Sequence, residues 1–160
     1  MSSRVFVKPD MEKYLFKGEV RYTQAIDQHL KMMRSIFCKQ KGKVPAEEIY
    51  YLFIGERTDT GILVTELIDI SGQRQESQVI ISLVDVERVA TEKWIMGTYH
   101  VHPVGSLEPS RADFLSSVAE SAIAGHPLIH IIEDPDGGKL TWDFSQCFTS
   151  LFYRMMKDAG

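Results

Sequence analysis

Two histidines and an aspartate lie close together in the stretch TYHVHPVGSLEPSRAD, residues 98–113. On a β-strand, His100 and His102 project from the same face and can bind one ion, each through one imidazole nitrogen. Asp113 follows eleven residues after the second histidine and can supply a third ligand if the loop returns it to the strand end. Hydrolytic zinc sites commonly use three protein ligands and leave a fourth position for water. One interpretation of this stretch is therefore a site for one zinc ion per chain.

The same residues have an ordinary structural interpretation. Ser110 and Asp113 form a capping-box pattern, in which the serine begins a helix and the acid three residues later bonds back to the serine amide. On this interpretation the two residues only start a helix, and the pair of histidines is a chance feature of a strand. The residues taken separately leave both alternatives open.

The whole string, His100-x-His102-Pro103, six residues and then Ser110-x-x-Asp113, resembles the signature of the JAMM (MPN-plus) metalloproteases. In that family two histidines and an aspartate bind zinc, and the serine stabilises the oxyanion of the tetrahedral intermediate. The resemblance implies that His100, His102 and Asp113 bind one zinc ion and that Ser110 is catalytic. The chain reads HVHP where many members read HSHP or HTHP, and the variable position is not a ligand.

The family also has a glutamate on an earlier strand that acts as the general base, commonly seven residues before a glycine. Glu48 precedes Gly55 by seven residues and matches this spacing. The resemblance implies that Glu48 activates the attacking water, with its neighbour Glu47 as the alternative. Without the downstream motif, both acids would be read as solvated residues at the entrance to a strand.

Hydrophobic patterning predicts the elements that position these residues. Apolar residues at three-to-four spacing predict a helix from Tyr22 to Phe37. The continuous apolar run from Ile49 to Ile54 predicts a strand that is buried on both faces. Further strands are predicted at residues 3–8, 61–70, 78–83, 94–100, 128–133 and 139–144, and further helices at 84–93, after Ser110 up to Gly125, and in the C-terminal tail.

These elements predict one α/β (α+β) domain, a single mixed β-sheet flanked by helices. The resemblance implies that this is the JAMM/MPN, cytidine-deaminase-like, fold. We expect residues 1–160 to form one domain: residues 1–18 are an N-terminal extension, about 19–145 match the family core, and 146–160 form a C-terminal helix.

Composition excludes several other classes of protein. The 18 basic and 22 acidic residues give a net charge of −4, which argues against a broad basic surface for nucleic acid. The N-terminus shows no long apolar core and no stretch approaches 18 apolar residues, so neither a signal peptide nor a membrane span is expected. Cys38 and Cys147 are interpreted as free thiols of a cytoplasmic protein.

The remaining histidines and acids are interpreted as structural or surface residues. His29 lies along the first predicted helix, and the other two histidines lie at a helix end and within a strand. The acids of the predicted turn after residue 132 are not assigned to a metal. The residues in these two groups are His29, His126, His130, Glu133, Asp134 and Asp136.

The resemblance implies hydrolysis of a peptide or isopeptide bond at the C-terminus of ubiquitin or a ubiquitin-like modifier. The modifier would be removed from a lysine, or its precursor would be trimmed. The short turn DPDGG leaves no room for a long second insertion, so the chain is similar to compact prokaryotic stand-alone members. Two alternatives belong to other classes. The HPVG and PSRAD elements also resemble the HxHP domain of RadC-like proteins, which are linked to DNA, and some superfamily members are scaffolds that only bind protein partners.

Overall fold

A computed structural model describes residues 11–39, 49–70, 78–102 and 107–145. The elements, after a short 3-10 helix at Met11–Tyr14, are β1 (Glu19–Tyr22), α1 (Gln24–Lys39), β2 (Tyr50–Arg57), β3 (Gly61–Asp69), α2 (Gln78–Ala90), β4 (Gly97–Val101), α3 (Arg111–Ala124), β5 (Ile129–Glu133) and β6 (Lys139–Asp143). The strand predicted at residues 3–8, the C-terminal helix at 146–160, and both Glu47 and Glu48 lie outside the described residues.

The six strands form one mixed sheet in the order β1-β3-β2-β4-β5-β6. The pairs β1–β3 and β4–β5 are parallel, and the other neighbours are antiparallel. The predicted single mixed sheet and the predicted hairpin of β5 and β6 are confirmed. The strand that carries His100 lies between β2 and β5, in the middle of the sheet. Side chains at its end are therefore enclosed by neighbouring strands on both sides.

Helices cover both faces of the sheet, because alternate strand residues are apolar towards each face. Ile26 and Leu30 of α1 pack on the face formed by Tyr51, Phe53, Val64, Tyr99, Ile129 and Ile131. The opposite face packs against α2 and α3, through Val86 and Val89 under Tyr50 and Leu52, and through Phe114 beside Ile132 and Trp142. The strand predicted to be buried on both faces is β2, whose first four residues are all buried.

One predicted element was wrong and one strand was missed. The segment 78–83 was predicted as a strand but forms the first part of α2, whereas the helix predicted at 84–93 is confirmed as the rest of α2, which ends at Ala90. A short apolar run is compatible with either structure, and here the buried residues Val86 and Val89 continue it at helical spacing. Strand β1 was not predicted, and Tyr22 ends this strand instead of beginning α1. None of the helices in the described ranges combines the length and hydrophobicity needed to cross a membrane.

The N-terminal segment before β1 packs against the far edge of the sheet. Leu15 forms an isolated antiparallel bridge with Trp142, and the backbone N–H of Phe16 donates to the carbonyl of Thr141 across 2.9 Å. Only three residues after Phe16 the chain enters β1, which pairs with β3 at the other edge, so the sheet is curled and its two edges lie close together. Residues 15–16 thus cover part of the outer edge of β6.

Candidate metal centre

The two histidines lie at the end of β4, on the face of the sheet that packs against α2 and α3. His100 pairs directly with Tyr50 of β2, and Val101 is the last residue of the strand. His102 follows at once, and its backbone N–H donates to the carbonyl of Glu133 in β5 across 2.9 Å. Both histidines are at least nine-tenths buried. The predicted strand therefore delivers the two imidazoles as expected.

The predicted capping box at the start of α3 is present. The hydroxyl oxygen of Ser110 accepts a hydrogen bond from the backbone N–H of Asp113 across 3.1 Å. In return, the backbone N–H of Ser110 donates to Asp113 Oδ2 across 2.9 Å. The positive end of the helix dipole also favours an ionised carboxylate in this first turn. The structural interpretation, in which Ser110 and Asp113 start the helix, is thus confirmed.

Asp113 also contacts both histidines, so the capping role and a ligand role are compatible. His102 Nε2 lies 2.9 Å from Asp113 Oδ2, and His100 Nε2 lies 3.6 Å from Asp113 Oδ1. The two Nε2 atoms are 2.7 Å apart. One potential ligand atom from each residue falls within 4.8 Å of the others. Two imidazole nitrogens and one carboxylate therefore converge on one point.

The chemistry of this donor set fits a zinc ion. His102 Nε2 lies within hydrogen-bonding distance of both His100 Nε2 and Asp113 Oδ2. A single hydrogen on His102 Nε2 would have to be shared by these two acceptors. A cation at the centre satisfies all three groups at once. Two imidazole nitrogens and one carboxylate are a donor set that zinc commonly takes.

The electrostatics of Asp113 suit a ligand, which must be ionised. Burial raises the pKa of its carboxyl, but the interactions with His100 and His102 and the hydrogen bond from the Ser110 amide outweigh burial. The net result holds the pKa of Asp113 well below its usual range. The carboxylate is therefore charged at neutral pH, as metal binding requires.

Two residues that the sequence did not single out, Tyr50 and Glu120, lie next to one another beside His100. The ring of Tyr50 stacks on the imidazole, with centroids 5.3 Å apart and planes inclined by 27°. The hydroxyl of Tyr50 lies 2.8 Å from each carboxylate oxygen of Glu120 in α3. Helical periodicity could have found Glu120, because it follows Asp113 by seven residues, which is two turns of an α-helix.

The other histidines lie outside this cluster, as predicted. His29 Nε2 lies 3.0 Å from the hydroxyl of Tyr51 on the opposite face of the sheet. His126 stacks on Trp94 just beyond the end of α3. His130 is buried in β5, and its Nδ1 lies 2.6 Å from the hydroxyl of Thr98. Burial lowers the pKa of His130 to about 3.

The acids near the β5–β6 turn are also engaged elsewhere. The carboxylate of Glu133 accepts a hydrogen bond from the hydroxyl of Tyr22 across 2.7 Å and pairs with the guanidinium of Arg34. Asp134 Oδ1 accepts from the backbone N–H groups of Asp136 and Gly138, each across 2.9 Å. These contacts stabilise the turn and the packing of α1.

The catalytic assignment of Glu48 stays a prediction, because neither it nor Glu47 is among the described residues. The next residue along the chain is described: the carbonyl of Ile49 accepts a hydrogen bond from the backbone N–H of Val101 across 3.3 Å. Val101 is the residue between the two histidines. The start of β2 therefore lies beside the candidate metal centre.

Comparison with solved structures found similar chains, including one from Salinibacter ruber. No family model matches the chain, and no curated protein sequence matches it. The solution structure of a protein from Salinibacter ruber is 20% identical, with a TM-score of 0.40. The similarity covers 76% of this chain and 80% of that one.

Proposed function

We propose that the protein is a zinc-dependent hydrolase that cleaves peptide or isopeptide bonds at the C-terminus of ubiquitin or a ubiquitin-like modifier. The observation that carries the proposal is the convergence of His100, His102 and Asp113, with one potential ligand atom of each within 4.8 Å of the others. The reaction class comes from the resemblance to the JAMM signature, in which these residues and Ser110 follow one another in the same order along the chain. The further assignment to a ubiquitin-like substrate rests on that resemblance.

His100 and His102 would hold the zinc ion through their Nε2 atoms, and Asp113 through its carboxylate. Bound zinc supplies a Lewis acid that lowers the pKa of a water molecule from about 15.7 to about 7. The ionised state of Asp113 is secured by the two imidazoles and by the Ser110 amide. Burial of the histidines keeps bulk water away, which strengthens electrostatic interactions within the site.

Ser110 can stabilise an oxyanion without giving up its place at the start of α3. Its oxygen accepts from the backbone N–H of Asp113, so its own hydroxyl proton is available for donation. One such donor in a catalytic site is commonly worth about 10²–10³ in rate. Ser110 is exposed, and a substrate carbonyl can therefore approach it.

Glu48 completes the proposal as the general base. It takes a proton from the attacking water and passes it to the leaving amine. The residue that follows it, Ile49, is paired with Val101 between the histidines, which supports a carboxylate at this end of the sheet. We place the reaction in the cytoplasm, where Cys38 and Cys147 would remain free thiols.

Zinc content provides the first test of the metal centre. Purified protein dialysed against zinc should retain about one ion per chain, measured by atomic emission spectroscopy. His102→Ala should lose most of this zinc. His126→Ala is the matched control and should keep it, because that residue lies at the other end of α3, about 20 Å from Asp113. Wild-type protein that binds no zinc would refute the proposed function.

Cleavage of a panel of ubiquitin-like fusions provides the second test. Mass spectrometry should place the cut directly after the C-terminus of a modifier, and a chelator should abolish the cut. Zinc binding without cleavage of any modifier fusion, combined with stable binding of a modifier, would favour the scaffold alternative. Tight binding of DNA by the zinc-loaded protein would favour the RadC-like one.

A further inference from the structure

One face of α3 carries two acids that point towards the same part of the sheet. Asp113 lies in the first turn, and Glu120 follows seven residues later, two turns and about 10.5 Å along the axis. Asp113 contacts both histidines, whereas Glu120 reaches the hydroxyl of Tyr50. Both acids therefore approach His100, the first directly and the second through the tyrosine whose ring stacks on the imidazole.

Glu120 is completely buried. A buried carboxylate is costly unless it is hydrogen-bonded, and Tyr50 supplies a hydroxyl at 2.8 Å from both of its oxygens. The hydroxyl is itself buried and cannot be solvated in another rotamer without moving the ring. The Glu120–Tyr50 contact thus fixes the position of the tyrosine ring.

The Tyr50 ring lies against the imidazole of His100. A metal-binding histidine usually donates the N–H of its second ring nitrogen to a carboxylate or carbonyl, which fixes the ring. The Nδ1 atom of His100 is buried and has no hydrogen-bond partner within the described parts of the chain. The stacked contact with Tyr50, its direct partner in the β2–β4 register, is one of the contacts that limit rotation of the imidazole.

We propose that Tyr50 and Glu120 are positioning residues for His100. Glu120 holds the Tyr50 ring against the imidazole, and the ring directs Nε2 of His100 towards His102 and Asp113. The inference rests on the proposed function, because it assigns these residues to the zinc site. It adds residues that lie outside the signature on which the resemblance was based.

Zinc affinity tests the inference, measured by competition with a chromophoric chelator. Tyr50→Leu, which removes the ring, should weaken zinc binding by about 10–100-fold, the usual cost of losing an outer partner of a metal ligand. Tyr50→Phe keeps the ring but loses the anchor, and should weaken binding less. Glu120→Gln retains an acceptor for the Tyr50 hydroxyl and should keep nearly full zinc affinity. Glu120→Leu removes the acceptor and should weaken zinc binding about as much as Tyr50→Phe does.

Tyr51→Phe is the matched control. Tyr51 is the next residue of β2 and faces the other side of the sheet, where its hydroxyl contacts His29. Its loss should reduce the free energy of unfolding by an amount similar to that for Tyr50→Phe, without changing zinc affinity. A purely structural role for Tyr50 predicts equal affinities for the two phenylalanine variants.

The outcomes separate this inference from the proposed function. Absence of zinc binding in the wild type contradicts the proposed function. If the wild type binds zinc and Tyr50→Leu binds it with unchanged affinity, the positioning role alone is contradicted. If Tyr50→Leu does not fold, unchanged affinity in both Tyr50→Phe and Glu120→Leu contradicts it instead. A graded loss of affinity, with Tyr51→Phe unaffected, supports it.

Discussion

Glu133 links the candidate metal centre to the opposite face of the sheet. Its carbonyl accepts the backbone N–H of His102 across 2.9 Å, while its carboxylate binds Tyr22 and Arg34 beneath α1. The main chain of this one residue therefore holds the second histidine, and its side chain anchors the first helix. Breaking the buried Arg34–Glu133 ion pair should therefore lower stability far more than breaking an exposed ion pair of the same helix.

Arg34→Met should reduce the free energy of unfolding by about 3–5 kcal/mol, because it leaves the carboxylate of Glu133 buried without its cation. Urea denaturation measures this change. Lys31→Met is the control, since it breaks an exposed pair with Asp27 in the same helix and should cost at most about 0.5 kcal/mol. Equal losses in the two variants would contradict a special role for the buried pair.

His130 should make the metal-free protein less stable in acid. Its pKa is about 3 in the fold and about 6.5 in an unfolded chain, so its contribution is complete above pH 6.5 and is lost as the pH falls towards 3. In that window only the unfolded chain binds the proton, and the slope reaches about 1.4 kcal/mol per pH unit. Urea titrations between pH 7 and 4 should show a shallower decline for His130→Leu than for the wild type.

Thr141→Val controls for the loss of a buried side chain in the neighbouring strand. It introduces no change in titratable groups and should shift stability by the same amount at every pH. Parallel pH curves for the wild type and His130→Leu would show that this histidine does not titrate as its burial requires.

Ser110 should affect stability and rate through different atoms. Ser110→Gly should cost only a few tenths of a kcal/mol, because glycine is tolerated at a helix N-cap, but should slow hydrolysis by about 10²–10³. Ser110→Thr keeps both the cap and the hydroxyl, and should retain most of the activity. Thermal unfolding and initial rates measure the two effects. Full activity in the glycine variant would remove Ser110 from the mechanism.

Glu48→Gln should abolish cleavage while the zinc content remains at about one ion per chain. The amide keeps the shape of the side chain but cannot accept the proton from water. Glu47→Gln is the matched control on the adjacent residue and should remain active. If the two results are exchanged, the general base is Glu47.

The start of α3 was predictable because its determinants are local. Ser110 and Asp113 satisfy each other's backbone groups within one turn, and Gly125 adopts a left-handed φ of 83° that ends the helix. The spacing of His100 and His102 was equally informative, because strand alternation alone places both on one face. These features did not depend on the rest of the fold.

Other features depend on tertiary contacts and could not be predicted in this way. The short apolar run at 78–83 is compatible with a strand or a helix, and it is helical because it continues into the packed part of α2. Strand β1 has four residues with alternating exposure and exists through its pairing with β3. Helical spacing places Glu120 on the same face as Asp113, but its burial depends on the docking of α3 against Tyr50.

The contacts of Leu15 and Phe16 with β6 give the N-terminal segment a protective role. The outer edge of β6 would otherwise present unpaired backbone groups to any extended chain nearby, and such edges promote association. A protein trimmed to begin at β1 would keep all three proposed ligands but lose this cover. Residues 15–16 are thus expected to guard the molecule against self-association, and their removal should matter more for solubility than for chemistry.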